Sequence, residues 1–337
     1  MAKKQFDPSS LQAFGNAAAG HDGVLSDSSG AAVVKPCTPA EITFYESIAS
    51  SHPDLAPHLP TYMGSLSLSA DQQQGAGAVE SGMIQTATGV ERLHGRKLET
   101  ELHIVLENIT HGFKRPNVLD LKLGAQLWDE ASKPEKRARL DEVSNSTTSG
   151  SLGFRIAGMR TYTGQSGAKG VDEKFKEFVE DNGSGTLVYN KFYGRKFTTK
   201  DIEEGFWAYV LPQGKETREL ERAREVLSYF LGEVRDIQKA FESKESRMYS
   251  ASILLVYEGD LDEYEKTKNT LADAKPQEDE DEDEDEDLPK LAAVKMIDFA
   301  HATWHPGQGP DENAIRGMRS TNKILESLLN QVEKDIQ

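Results

Sequence analysis

Residues 115–130 read RPNVLDLKLGAQLWDE, and the reading of this stretch decides the reading of the rest. Pro116 fixes φ at its start. Val118, Leu119, Leu121 and Leu123 then form a short apolar strand, which Gly124 ends. Two charges interrupt the run, Asp120 and Lys122. Residues i and i+2 of a strand share a face, so a carboxylate and an ammonium project together from an otherwise buried element. Such a couple is either a plain ion pair, worth little, or a pair placed for chemistry.

The chain around it has 337 residues, enough for one large or two medium domains with a real core. Hydrophobic residues make up 37% and charged residues 28%, so part of the chain is expected to stay unfolded. No apolar run reaches membrane-spanning length, and MAKKQFDPSS at the start has no apolar signal region. These features predict a soluble, intracellular protein. The single cysteine, Cys37, excludes an internal disulfide and a cysteine-rich zinc site; in VVKPCTP it reads as a core or edge thiol rather than a nucleophile. The net charge is −17, but residues 278–287 are ten consecutive acids, and without them the balance is −7. A block of one charge is solvated and extended. The remainder is only mildly acidic, so local basic clusters can still bind anions.

Along the chain, GVLSDSSGAAVVKP reads as a hairpin around Asp27-Ser28-Ser29-Gly30, ending in a β-branched strand at Lys35. A helix follows, with Thr38 as N-cap, Pro39 at N1 and Glu41 completing a capping box. PTYMGSLSL and ELHIVLENIT read as strands, so the first ~110 residues are strands with one helix. Ser132 and Glu135 suggest a second capping box around Pro134. LGFRIAGMRTY and TLVYNKFYGRKF read as strand-like and basic. Residues 217–243 form a long amphipathic helix, with Leu220, Ala223, Leu227, Phe230, Val234, Ile237 and Phe241 at three- and four-residue steps. SASILLVYEG and LAAVKMIDFAHA are two apolar strands joined by the acidic run, and a last helix covers roughly 311–335.

Familiar phosphate loops, dinucleotide fingerprints, HExxH and GxSxG are missing, and the eight histidines show no metal-ligand spacing. Lys35 is either a surface strand lysine or one that reaches nucleotide phosphates from a β-lobe. Asp298, a lone acid in an apolar strand, is expensive to bury unpaired; it meets either a structural cation or a magnesium ion. Lys136 and Arg139 share a helix face, while Arg160 and Lys191 sit in or beside strands. Each is a solvated cation on the bland reading, and together they can neutralise a polyanion. The parts suit phosphoryl transfer, which needs phosphates held, a bridging metal and charge stabilised on the moving group.

PNVLDLKLG also resembles the PxxxDxKxG signature of the inositol polyphosphate kinases, at Pro116, Asp120, Lys122 and Gly124. GHDGVLSD with VVKP, LENIT, TSGSLGFRIAGMR, FYGRKF, YSASILLVYEG and IDFAH look like further blocks of that family, in the same order, over about residues 15–335. The likeness is closest to the multikinases of fungal type. The GTRQHGDD-like stretch of the hexakisphosphate kinases is replaced here by GAQLWDEAS, and the family's paired serines appear as Ala251-Ser252.

The resemblance implies an α+β, two-lobed fold, distantly like protein kinases. A small β-rich N-lobe on the ATP side would cover 15–115, after a flexible 1–14. A larger α/β C-lobe would cover 116–337, with an inositol phosphate segment at about 125–196 and a disordered acidic loop at 268–289. It implies ATP and Mg²⁺ as cofactors. Lys35 would contact the ATP phosphates, the backbone of Glu107 and Ile109 would hold adenine, and Asp120 would bind the ribose. Lys122 would meet the acceptor and the transferring group. Asp298, with Ser252, would serve the metal, and His301 would approach the acceptor hydroxyl. Lys136, Arg139, Arg160 and Lys191 would line the inositol phosphate site. The activity implied is conversion of inositol trisphosphate to tetrakis- and pentakisphosphate in nucleus and cytoplasm, by a monomer without direct nucleic-acid binding or membrane insertion. The alternatives are a hexakisphosphate kinase, or an interaction protein that holds basic partners through its acidic run.

Overall fold

The computed structural model describes residues 10–16, 18, 23–69, 83–86, 89–92, 98–164, 167, 170–273 and 289–337. The N-terminal part holds β1 (Gln12–Ala13), β2 (Leu25–Ser26), β3 (Ala32–Pro36), α1 (Pro39–Ser51), β4 (Tyr62–Ser67), the hairpin β5 (Met83–Thr86) and β6 (Gly89–Arg92), and β7 (Leu102–Glu107). The C-terminal part follows with β8 (Pro116–Leu123), α2 (Pro134–Asn145), α3 (Thr148–Leu152), β9 (Phe154–Tyr162), β10 (Val179–Asp181), β11 (Thr186–Tyr189), α4 (Lys191–Arg195), α5 (Ile202–Val210) and α6 (Thr217–Glu242). It ends with β12 (Ser246–Met248), β13 (Ser252–Glu258), α7 (Leu261–Asp273), β14 (Ala292–Ile297), β15 (Ala302–Trp304) and α8 (Glu312–Ile336).

Two antiparallel sheets carry the two lobes. The small one runs β1-β2-β3-β7-β4, the large one β10-β11-β9-β8-β13-β14. β8 therefore lies inside the large sheet, paired with β9 and β13. That explains its near-continuous burial, since a central strand covered on both faces cannot alternate. α6 buries the apolar stripe expected of it and packs on α8. One apolar core runs from Cys37, Phe44 and Ile104 of the small lobe to Leu328 and Val332 of α8, so the lobes share their interior.

Two local devices shape β8 where its charges lie. The ladder to β9 slips between Asp120 and Leu121, because Ala157 is an extra residue on β9. At the strand end, Gly124 adopts φ +95°, and a Cβ there would come within 2.6 Å of the Asn313 side chain. That amide, on α8, accepts from the N–H groups of Ala125 (2.9 Å) and Gln126 (2.8 Å). The glycine of the signature is thus required by the packing of this turn on α8.

Several sequence expectations are corrected. Thr38 caps α1 by accepting from the Glu41 N–H, but the Glu41 side chain does not close the capping box; it turns to Lys35. Lys133, not Ser132, is the N-cap of α2, and the Ser132 hydroxyl donates to Asp129. TLVYNKFYGRKF is strand only to Tyr189: Asn190 caps α4 by accepting from the Phe192 N–H. Gln12 and Ala13, within the expected flexible N-terminus, form β1, and 268–273 of the expected acidic loop belong to α7. The acidic run 278–287 lies outside the described residues.

Candidate active site

The seam between the sheets gathers charges of alternating sign. Lys35 on β3 reaches Glu41 of α1 at 2.9 Å and Asp298, just past β14, at 2.9 Å. The other Asp298 oxygen lies 3.8 Å from the Lys122 ammonium. Lys122 and the buried Arg155 flank Asp120 and act on its carboxyl electrostatically. From Glu41 through Lys35, Asp298, Lys122 and Asp120 to Arg155, three acids alternate with three bases, so each charge has opposite neighbours. Burial alone would push the Lys35 ammonium down, but Asp298 and Glu41 outweigh it and hold it above the ordinary lysine value.

α1 is brought to this seam by aromatic packing. Phe44 stacks on Phe299 with centroids 4.5 Å apart and on Trp304 at 5.2 Å, and the Trp304 indole N–H donates to Ser47 at 2.8 Å. Glu41, 1% exposed, also accepts from the Phe299 N–H at 3.3 Å. Helix, lysine and the turn after β14 are therefore one packed unit.

Asp298 is not inside the apolar strand, as its sequence setting suggested. β14 stops at Ile297, and Asp298 takes a left-handed conformation at φ +67°. That conformation costs an L-residue about 1–2 kcal/mol and aims the carboxylate into the cleft between two ammonium groups. Ser250 is likewise left-handed, at φ +60°. Its carbonyl accepts from Lys122 at 2.9 Å, while its hydroxyl donates to the Leu127 carbonyl at 2.9 Å.

Asp120 is 3% exposed, and one of its carboxylate oxygens is buried with no hydrogen-bond partner among the described residues. Burial pushes its carboxyl above the ordinary 3.8, against the pull of Lys122. That oxygen is itself buried, so a ligand reaches it only if the cleft opens around it. Ser252 is fully buried and touches Lys122 at 3.4 Å. It pairs across the β13–β14 ladder with Ile297, the residue before Asp298, so its hydroxyl sits at the Lys122–Asp298 contact. Among the described residues, no three His, Cys, Asp or Glu side chains converge as a metal cage. A single displayed carboxylate suits a divalent cation that is bound mainly through substrate phosphates.

At the hinge after β7, Asn108 fixes the backbone: its side chain donates to Gly30 O at 2.6 Å and accepts from Thr110 N at 3.0 Å. The Glu107 side chain is engaged by Thr61 at 3.2 Å and Lys290 at 3.3 Å. Ile109 joins a small apolar cluster with Phe113, Val118, Val256, Ala293 and the partly buried Leu254, a surface suited to a flat base.

On the opposite side, Nδ1 of His301 lies 2.5 Å from Asp129. Lys136 and Arg139 are exposed on α2, with Lys136 close enough to influence the Asp129 carboxylate. Lys191 begins α4 with its ammonium 5.2 Å from the Phe192 ring centroid. Arg160 does not join the Lys122 cluster. It pairs with Val118, four residues along β8 from Lys122, roughly 13 Å at 3.3 Å per residue. Its guanidinium donates to Gly15 O at 2.7 Å. Arg155 holds the position opposite Lys122, donating to Ser149 at 2.8 Å. Burial, then the nearby Arg195 charge, push it down to about 10. Glu41, Asn108, Asp129, Arg155 and Ser250 are thus site residues that sequence reasoning missed. Arg155 had a usable signal, a guanidinium inside the apolar run LGFRI.

The family model for inositol polyphosphate kinase matches residues 103–326. The chain is 32% identical to the inositol polyphosphate multikinase of Saccharomyces cerevisiae, over 91% of this chain and 96% of that one. It is 28% identical to that of Schizosaccharomyces pombe, over 95% and 98%. Human inositol hexakisphosphate kinase 3 is 29% identical over 67% of this chain but only 51% of its own length. Among solved structures, an inositol phosphate multikinase from S. cerevisiae in complex with ADP and Mn²⁺ aligns with a TM-score of 0.66 and 31% identity, covering 89% of this chain and 100% of that one. With the signature strand, the paired sheets and this agreement along nearly the whole length, the chain belongs to the inositol polyphosphate kinase family.

Proposed function

We propose that this chain is an ATP- and Mg²⁺-dependent multikinase that phosphorylates inositol trisphosphate to the tetrakis- and then the pentakisphosphate. The observation that carries the reading is the Lys35–Asp298–Lys122 array at the seam of the two sheets. In this reading the Lys35 ammonium serves the nucleotide and the Lys122 ammonium the acceptor, on either side of the Asp298 carboxylate. Adenine lies against Ile109 and Leu254 at the hinge, with Asp120 on the ribose side. Lys35 holds the donor phosphates. Asp298 would hold the Mg²⁺, which supplies charge neutralisation on the phosphates.

The acceptor hydroxyl oxygen forms the new bond to the γ-phosphorus while the bond to the β–γ bridging oxygen breaks, and ADP leaves. Lys122, fixed by Ser250 and Ser252, stabilises charge on the moving group. His301 takes the hydroxyl proton. Lys136 and Arg139 hold the acceptor's phosphates, with Lys191 on the same task from α4.

The test is incubation with ATP, Mg²⁺ and each inositol phosphate in turn, with products separated by anion-exchange chromatography. Sequential tetrakis- and pentakisphosphate from trisphosphate is expected. Turnover confined to the hexakisphosphate would favour the pyrophosphate-forming branch of the family instead.

A further inference from the structure

Asp129 stands where three parts of the acceptor side meet. One carboxylate oxygen lies 2.5 Å from Nδ1 of His301, and the other accepts from the Ser132 hydroxyl at 2.8 Å. Ser132 adjoins Lys133, the N-cap of α2, the helix of Lys136 and Arg139. Two residues before Asp129, the Leu127 carbonyl is held by Ser250, whose own carbonyl holds Lys122. We propose that Asp129 is a positioning residue for phosphoryl transfer: it sets the ring orientation and tautomer of His301 and ties that ring to the helix that holds the acceptor phosphates. The inference rests on the kinase reading of the site.

The chemistry follows from what each group can donate. Burial would raise the Asp129 carboxyl, but the Ser132 hydroxyl and His301 outweigh it and hold it below the ordinary 3.8, so it stays ionised. An ionised carboxylate only accepts. Nδ1 must therefore donate, and in the neutral ring Nε2 keeps its lone pair. That nitrogen is the one left to accept a proton from the acceptor hydroxyl. Rotating the ring, or reversing its tautomer, removes that acceptor from the reaction line, and a misplacement near 1 Å costs about 10²-fold in rate.

The test is a double-mutant cycle on the full chain with inositol trisphosphate and Mg-ATP. Asp129→Asn keeps the shape and removes the charge that dictates the tautomer. It is expected to lower kcat about 10²-fold with little change in the KM for ATP. In a His301→Ala background the same substitution should add less than about twofold, because Asp129 acts through the ring. Ser132→Ala cuts the α2 tie and leaves the dyad, so it should raise the KM for inositol trisphosphate while lowering kcat less than Asp129→Asn does. Thermal melts of all variants identify any that fail to fold. Additive losses in the cycle, or a near-normal kcat for Asp129→Asn, would overturn the proposal. A wild-type protein that phosphorylates no inositol phosphate would overturn the kinase reading instead, before any variant is compared.

Discussion

Lys35→Met is the substitution whose consequences the structure specifies most fully. The ammonium bonds two carboxylates at 2.9 Å each. One of them, Glu41, is 1% exposed and cannot retreat to water, because its helix is pinned by the Phe44–Phe299 stack. Methionine matches the length of lysine and removes only the charge, so Glu41 becomes a buried anion with the Phe299 N–H as its neutral partner. Removing one partner of a buried pair costs about 3–5 kcal/mol. Adding Glu41→Gln removes the stranded charge while keeping an acceptor for Phe299, and should recover part of that loss. The order of melting temperatures expected is wild type, then Lys35→Met/Glu41→Gln, then Lys35→Met alone. The lysine lies above its ordinary 10.5 in the folded protein. Its own contribution is therefore full below that pH and is lost only as the pH climbs through the raised value, so it is constant between pH 7 and 9. Both variants lose a charge aimed at the donor phosphates and should turn over about 10²–10³-fold more slowly. The assay is a thermal melt at pH 7, 8 and 9 beside steady-state kinetics. Equal melting temperatures for wild type and Lys35→Met would refute the reasoning, since Glu41 would then be stable without its partner.

Three other outcomes follow from the same geometry. Lys122→Ala should cut turnover about 10²–10³-fold and leave ATP affinity, read by calorimetry, largely intact. Asp298→Asn should abolish metal-dependent nucleotide binding, because an amide is a poor Mg²⁺ ligand; a melt that Mg-ATP still raises as in wild type would contradict this. Asp120→Asn should lose activity yet melt higher than wild type at pH 7. Burial raises the Asp120 carboxyl, so the folded state holds a proton the unfolded chain has released, and stability falls as the pH rises from 3.8 through the raised value. Melts from pH 4 to 7 should show the gap between variant and wild type widening upward.

How far this was legible in the sequence can be followed residue by residue. The Asp120–Lys122 couple, the α6 stripe and the Thr38 cap depend on local periodicity and local bonds, and these survive folding unchanged. Glu41 was misread because Thr-x-x-Glu has the same spelling whether the carboxylate caps its own helix or reaches a lysine on the previous strand. Arg160 and Arg155 both stand in one basic strand; only the pairing of β9 with β8 sets one beside Lys122 and the other by Val118. Asp129 meets His301 across 172 residues of chain, a contact made by tertiary packing with no sequence signature. Asp298 and Ser250 owe their roles to left-handed backbone that residue type does not announce. α4 follows a strand without a break in basic character, so the turn to helix at Asn190 depends on one side-chain bond.

The central claim is that Lys122 and Asp298 lie between a nucleotide and an inositol phosphate. ATP radiolabelled on the γ-phosphate, incubated with inositol trisphosphate and either wild-type protein or Lys122→Ala, tests it most directly. Label is predicted in tetrakis- and then pentakisphosphate with wild type and near background with the variant. Equal labelling by both proteins would contradict the account.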